Sequence, residues 1–131
     1  MKTLTRRQWV VTIAAGVLGA AGLFVPAALA GTGCPLTTVC IWDYDGLSGH
    51  WWYTGGNNYL YYDDDWFGTA QTIDNDAESA HNNGTSGMGV YFFWYSGYYG
   101  PSWCLPKGEV TDFNSSWDNQ ASSHLWSWYC R

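Results

Sequence analysis

Short apolar runs separated by turn residues follow one another through the chain from about residue 34 onward. The runs are rich in aromatic and β-branched residues, and Gly, Asn and Asp fall between them, as is typical of short strands joined by tight turns. No stretch of this region shows the 3.6-residue apolar period of an amphipathic helix. The pattern predicts an all-β domain with strands at residues 39–44, 50–53, 58–62, 89–94, 102–105 and 123–129.

The pattern occurs twice. Residues 39–52 and 90–103 coincide at a shift of 51, with Gly49 matching Gly100 and Trp52 matching Trp103. A second repeated segment follows: residues 75–81 are similar to residues 118–124 at a shift of 43. We therefore expect two like β motifs that share one core, about 34–82 and 88–130, joined by the polar stretch 81–88.

The first thirty residues have a different character. Lys2, Arg6 and Arg7 precede an uncharged apolar run at residues 9–25, and small residues at Ala28 and Ala30 follow. This order predicts a signal peptide at 1–30, a mature domain at 31–131 and a secreted, extracellular protein. The alternative is a membrane anchor, for which the run has the minimum length. The paired arginines leave open whether export follows the general or the twin-arginine route.

Cleavage of that segment would change the charge of the protein. The chain has five Lys and Arg residues against eleven Asp and Glu residues, and three of the basic residues lie in the first thirty positions. The mature domain would carry 2 − 11 = −9. Such acidity argues against nucleic-acid binding and favours a cation or a basic partner. We expect a monomer that leaves the membrane after cleavage.

Four cysteines lie in the predicted mature domain: Cys34, Cys40, Cys104 and Cys130. An exported protein meets oxidising conditions, so an even number of cysteines predicts disulfides, here two with three possible connectivities. We favour Cys34–Cys40, which closes a short loop, together with Cys104–Cys130, which ties back the C-terminus. A four-cysteine metal site is the alternative, but the sequence has no C-x-x-C pair.

The second motif resembles the Greek-key signature of the βγ-crystallins. Phe93, Tyr98 and Gly100 have that family's aromatic-x4-aromatic-x-Gly spacing, and residues 118–123 fit its (N/D)(N/D)-x-x-(S/T)-S loop. The first motif departs from it at Leu47, in place of an aromatic residue, and at Ala80, in place of serine. The resemblance implies a double Greek-key sandwich.

The first residues of the predicted domain resemble one branch of this family in particular. Cys34-Pro35 followed by Cys40-Ile41-Trp42 is similar to the secreted bacterial branch of this fold, which is grouped with a metalloproteinase-inhibitor family. That branch implies a non-enzymatic peptidase inhibitor whose partner is a secreted protease. A rigid disulfide-held loop would enter the active-site cleft with little loss of entropy. The sequence does not identify this loop, and we expect the longer 52–72 region to form a contact surface.

The resemblance also implies calcium at two sites, each assembled from both Asx-rich loops. Carboxylate, amide and hydroxyl oxygens suit this hard cation. The expected ligands are Asn75, Asp76, Ser79, Asp118, Asn119 and Ser122. The alternative is that these side chains only cap their own turns.

Other chemistry has less support in the sequence. His81 and His124 occupy matching positions but lack the pattern of a zinc site, and we expect them to be ordinary strand-start residues. No H-E-x-x-H, G-x-S-x-G or phosphate-binding loop is present, so the sequence does not predict an enzyme. A calcium-stabilised structural protein, or a toxin-like module that binds cell-wall carbohydrate through aromatic runs such as 91–99, is the alternative function.

Overall fold

The computed structural model describes residues 33–131, and the predicted signal peptide at 1–30 lies outside this part. The described part contains a one-turn 3₁₀ helix at Tyr61–Asp63 and no helix long and apolar enough to cross a membrane. Its seven strands are β1 (Val39–Tyr44), β2 (Ser48–Thr54), β3 (Ser79–Asn82), β4 (Gly89–Tyr95), β5 (Tyr99–Leu105), β6 (Val110–Asp112) and β7 (Ser123–Ser127).

The strands form two antiparallel sheets, in the orders β2-β1-β3-β6 and β5-β4-β7. β6 comes from the second half of the chain but pairs with β3 of the first half. In return, Asn58 of the first half forms a β-bridge with His124 in β7. Each half therefore completes the other's sheet, and the predicted all-β class is confirmed.

Most predicted strands are present, but the one at 58–62 is wrong. Only Asn58 pairs there, and the chain then turns into the 3₁₀ helix. The Asn58 side chain explains the break: its Oδ1 accepts a hydrogen bond from the Leu60 amide at 2.9 Å, and its Nδ2 donates one to Asp64 at 2.7 Å. Such local side-chain bonds offer the backbone an alternative to a ladder.

The sequence pattern did not predict β3 and β6. All four residues of β3 are buried although three of them are polar, so no alternation marks the strand. β6 is only three residues long. Because β3 includes His81 and Asn82, the segment between the motifs is residues 83–88 rather than 81–88.

The core lies between the two sheets and combines aliphatic and aromatic side chains. Each large apolar side chain removed from water contributes about 1.5–3 kcal/mol to stability. Two of the largest, Tyr61 and Trp66, are fully buried and come from the region between β2 and β3. The buried cluster consists of Val39, Ile41, Trp52, Tyr61, Trp66, Ile73, Ala77, Ala80, Val90, Phe92, Leu105, Phe113 and Ala121.

Both favoured disulfides are confirmed, Cys34–Cys40 and Cys104–Cys130. Cys34 and Cys40 belong to a second, smaller buried cluster with Trp42, whose ring stacks on Trp51 at 6.2 Å between centroids. The short disulfide loop is thus anchored on its own packed cluster.

Candidate functional site

Each half contains a hairpin that folds over onto a serine of its last strand. Ser79 Oγ donates to the Tyr44 carbonyl at 2.7 Å and accepts a hydrogen bond from the Leu47 amide at 3.1 Å. Ser123 Oγ makes the same two bonds, at the same distances, to the matching carbonyl and amide of the second hairpin. The two serines therefore hold equivalent positions.

Gly49 and Gly100 allow the hairpins to fold over in this way. Their φ values are 86° and 87°, which favour glycine. A Cβ at Gly100 would collide with the Tyr95 ring, and one at Gly49 would collide with the Asp43 carboxylate. The buried Asp43 side chain instead accepts a hydrogen bond from the His50 amide at 2.7 Å.

Because Ser79 and Ser123 are equivalent, the segments around residues 75–81 and 118–124 align at a shift of 44, not at the predicted 43. Two further bonds agree: the Glu78 amide donates to the Trp42 carbonyl, and the Ser122 amide donates to the Phe93 carbonyl, both at 2.9 Å. Glu78 thus occupies the loop position that Ser122 has in the second half. Ser79, a predicted calcium ligand, lies at the hairpin instead.

The two Asx-rich loops, residues 74–78 and 118–122, meet around an approximate twofold relation. The Asn75 amide donates to the Ala121 carbonyl at 3.0 Å, and the Asn119 amide donates to the Ala77 carbonyl at the same distance. Asn75 and Asn119 have φ values of 53° and 60°, in the left-handed region that Asn tolerates. The reciprocal bonds hold the loops at a fixed separation.

Side chains join the same loops in two pairs that differ in chemistry. Ser122 Oγ donates to Asn75 Oδ1 at 3.0 Å. In the equivalent place, Asn119 Nδ2 donates to Glu78 Oε1 at 3.2 Å. The first pair is neutral and the second includes a carboxylate. The two positions are therefore equivalent in the repeat but differ in charge.

Three buried oxygens at these loops have no hydrogen-bond partner: Asp74 Oδ1, Asp118 Oδ1 and Asn119 Oδ1. Burial, with smaller contributions from the carboxylates of Asp45 and Asp112, raises the pKa of Asp118. An oxygen without a donor, in a negative environment, is a suitable ligand for a hard cation that takes six to eight oxygens. These oxygens are of the kind that calcium takes, although among residues 33–131 no three acidic side chains converge on one point.

The structure brings together four of the six predicted ligands: Asn75, Asp118, Asn119 and Ser122. Asp76 is engaged elsewhere, because its Oδ2 accepts hydrogen bonds from the Trp66 indole at 2.8 Å and from the Gln71 amide at 2.7 Å.

Two acidic residues of the first loop, Asp74 and Glu78, were not among the expected ligands. Asp74-Asn75 fits the Asx-Asx pattern one residue earlier than we placed it, so the signal was present in the sequence. In the first loop Asp74, Asn75 and Glu78 hold the positions that Asp118, Asn119 and Ser122 have in the second.

The longer 52–72 region largely serves the core. Tyr61 and Trp66 are fully buried, and the Ile73 amide at its end donates to the Asp64 carbonyl at 3.0 Å. Tyr62 and Phe67 remain exposed, and Phe67 packs edge-on against neighbouring rings of β2. The region is a packed insertion with separate exposed aromatic side chains.

His124 lies inside the core rather than at a surface. Its Nδ1 is 2.8 Å from the Tyr61 hydroxyl, and its Nε2 is 2.8 Å from the Gly56 carbonyl. Burial lowers its pKa to about 4. Burial also lowers the pKa of His81. Among residues 33–131, no group of three His, Cys, Asp or Glu side chains is placed to hold a metal.

A shallow groove of about 470 Å³ lies beside the segment that joins the two motifs. Its walls include Thr37, Asn57, Trp126 and the stretch from Gly84 to Ser86, and none of its lining residues is charged. The Trp126 indole donates to the Gly56 carbonyl at 3.0 Å, which fixes the ring.

Comparison with protein-family models gives one match over most of the chain. The model described as peptidase inhibitor family I36 matches residues 27–105, which cover the first motif and the first hairpin of the second. No functionally curated protein matches the chain significantly.

Comparison with solved structures identifies the fold. A structure from work on the evolution of the eye-lens βγ-crystallin domain has a TM-score of 0.60 and 15% identity, covering 72% of this chain and 90% of its own. A βγ-crystallin from an archaeon has a TM-score of 0.53 and 18% identity, covering 69% and 96%. A double mutant of a Clostridium beijerinckii βγ-crystallin domain has a TM-score of 0.53 and 16% identity, covering 67% and 93%. The described part is thus a βγ-crystallin-like double Greek-key sandwich, as expected.

Proposed function

This chain belongs to peptidase inhibitor family I36, and from that premise we propose that it is a secreted, non-enzymatic inhibitor of an extracellular peptidase. The family match carries the proposal. The rigid scaffold supports it, because two disulfides and reciprocal loop bonds hold the surface loops in fixed shapes. A loop already in its bound shape loses little entropy when it docks.

The positions of the histidines are consistent with a protein that does not catalyse a reaction. His124 is buried with both ring nitrogens in hydrogen bonds, and His81 is buried in β3. The half-exposed His50 pairs with the buried Asp43 at 2.8 Å, within the folded first hairpin. All three imidazoles therefore have structural surroundings.

The inhibitor proposal is tested with protein collected from the medium of a secreting bacterial host. Its N-terminus, read by sequencing, should begin at residue 31 if the signal peptide is cleaved as predicted. The protein is then assayed against metallopeptidases of the thermolysin type and against serine peptidases. Inhibition of at least one at micromolar protein supports the proposal. If it inhibits none but sediments with bacterial cell wall or chitin, the carbohydrate-binding alternative is favoured.

We further propose that calcium binds at two sites between the two Asx-rich loops, each assembled from both loops, and stabilises this scaffold. Asp74, Asn75 and Glu78 from the first loop, with Asp118, Asn119 and Ser122 from the second, supply the oxygens. The partnerless buried oxygens and the raised pKa of Asp118 support this proposal, because a cation there would offset both. The predicted charge of −9 on the mature domain favours it further.

Thermal unfolding with and without calcium tests the cation site. Calcium should raise the melting temperature of the wild type, and EDTA should reverse the rise, since a ligand that binds only the folded state stabilises it. Asp118→Asn should abolish the shift. Asp63→Asn, which removes a carboxylate from the exposed end of the 3₁₀ helix, is the matched control and should keep the shift. An EDTA-insensitive melting curve for calcium-loaded protein contradicts the proposal.

A further inference from the structure

The backbone of the loop between Cys34 and Cys40 stands apart from the repeat. Five non-glycine residues of the described part have positive φ, and four of these form pairs at matching positions of the two motifs. The fifth is Thr37, with φ of 70°, which has no counterpart. A β-branched residue rarely adopts this conformation, and such strain persists only where the surroundings impose it. The double Greek key does not require it.

Asn83 forms three hydrogen bonds with the loop between Cys34 and Cys40. The Thr37 amide donates to the Asn83 carbonyl, and the Asn83 amide donates to the Thr38 carbonyl, both at 2.9 Å. The Asn83 side chain donates to the Cys34 carbonyl at 2.8 Å. Across the loop, Thr38 Oγ1 donates to the Pro35 carbonyl at 2.7 Å. With the disulfide, these bonds fix the loop in one shape before any partner arrives.

Leu36 lies at the tip of this fixed loop. Its side chain is 69% exposed, whereas Cys34 and Thr38 on either side are buried. A single exposed leucine is common on protein surfaces. Here, however, it is held by a backbone that cannot withdraw it, so it is presented to a partner at no further cost in loop entropy.

The charge distribution indicates what kind of partner fits. Residues 33–42 carry no charge, and the nearby groove is uncharged as well, although the domain as a whole is strongly acidic. The loop is thus an apolar projection on a negative molecule. It complements a cleft with an apolar side-chain pocket and basic residues at its rim, because charges at the rim steer association.

We propose that the loop closed by Cys34 and Cys40 enters the active-site cleft of the target peptidase, with Leu36 in an apolar specificity pocket. This inference rests on the proposed inhibitor function and names the contact that performs it. It replaces the 52–72 region as the expected contact, because that region is anchored in the core by Tyr61 and Trp66.

Inhibition by two matched variants tests the assignment against a peptidase that the wild type inhibits. Leu36→Asp should raise the inhibition constant at least about 10-fold, the lower end of what burial of one leucine side chain contributes. Leu36→Met should stay near the wild type. Tyr62→Asp is the control, because Tyr62 is 68% exposed and lies in the 52–72 region. All variants should keep the wild-type melting temperature, since both positions are exposed.

The outcomes separate this assignment from the proposed function. Loss of inhibition in Leu36→Asp alone supports the loop as the contact. Wild-type inhibition by Leu36→Asp overturns the assignment but leaves the inhibitor function standing, and a loss confined to Tyr62→Asp moves the contact to the 52–72 region. A wild-type protein that inhibits no peptidase overturns both.

Discussion

His124 should make the stability of this domain depend on pH. Its Nε2 faces the Gly56 carbonyl, which can only accept, so Nε2 carries the proton and Nδ1 accepts from the Tyr61 hydroxyl. Protonation would place a charge and a second N–H donor inside the core. Burial therefore lowers the pKa of His124 from 6.5 to about 4.

The sign and size of the effect follow from this shift. Between pH 6.5 and pH 4 the unfolded chain binds the proton and the folded one does not, so acid favours unfolding. The stability that the neutral His124 contributes is fully present above the pKa of 6.5 that the imidazole has in the unfolded chain, and it is lost as the pH falls toward 4. The free energy of unfolding should drop by about 1.4 kcal/mol at pH 5.5 and about 2.5 kcal/mol at pH 4.5 through this group alone.

The perturbation is His124→Gln, which keeps a donor near the Gly56 carbonyl but cannot titrate in this range. Urea unfolding followed by tryptophan fluorescence gives the free energy of unfolding of both proteins at pH 7.5, 5.5 and 4.5. The advantage of the wild type should shrink by about 2.5 kcal/mol across that range, since all other titrating groups are shared. Tyr61→Phe, which leaves the imidazole buried, should keep the wild-type slope. Parallel profiles for wild type and His124→Gln would refute the reasoning.

Two further predictions concern the fold. Ser79→Ala and Ser123→Ala should each lower the free energy of unfolding by about 1–3 kcal/mol, because each leaves a hairpin carbonyl and amide unsatisfied. If urea unfolding shows a large loss of stability for only one of the two variants, the two serines are not equivalent, which would argue against aligning the two halves at a shift of 44. Replacing both cysteines of the Cys104–Cys130 bridge by serine should cost about 3.5 kcal/mol, against about 2 kcal/mol for Cys34–Cys40, because the first closes the longer loop. The reverse order of melting temperatures would contradict this.

The sequence predicted the parts of the fold that have a clear pattern. β1 has the predicted bounds, because its buried residues and turn signals are unambiguous. The repeat of Gly49 and Gly100 located both folded hairpins, since only glycine fits there. β3 could not be recognised, because its buried Ser79 and Asn82 side chains bond to partners that only the tertiary structure supplies.

The sequence aligned the two Asx-rich loops one residue out of place, and the calcium that they are proposed to bind stays a prediction. Ser122 and Ser123 are adjacent, so the sequence alone allowed either to match Ser79. The hydrogen bonds of the hairpins decide for Ser123, and this brings Glu78 into the loop. The proposed contact at Leu36 had no sequence signal, because neither its exposure nor the φ of Thr37 follows from residue type.

The central claim is that the domain inhibits a peptidase by binding it as a folded unit. Titration of a fixed concentration of a sensitive peptidase with the secreted protein tests this most directly, with residual activity and intact mass of the inhibitor measured at each step. We predict that activity falls linearly to an end point of about one inhibitor per enzyme, with the inhibitor uncleaved. A panel of metallo- and serine peptidases that all keep full activity, or that degrade the protein as an ordinary substrate, would contradict it.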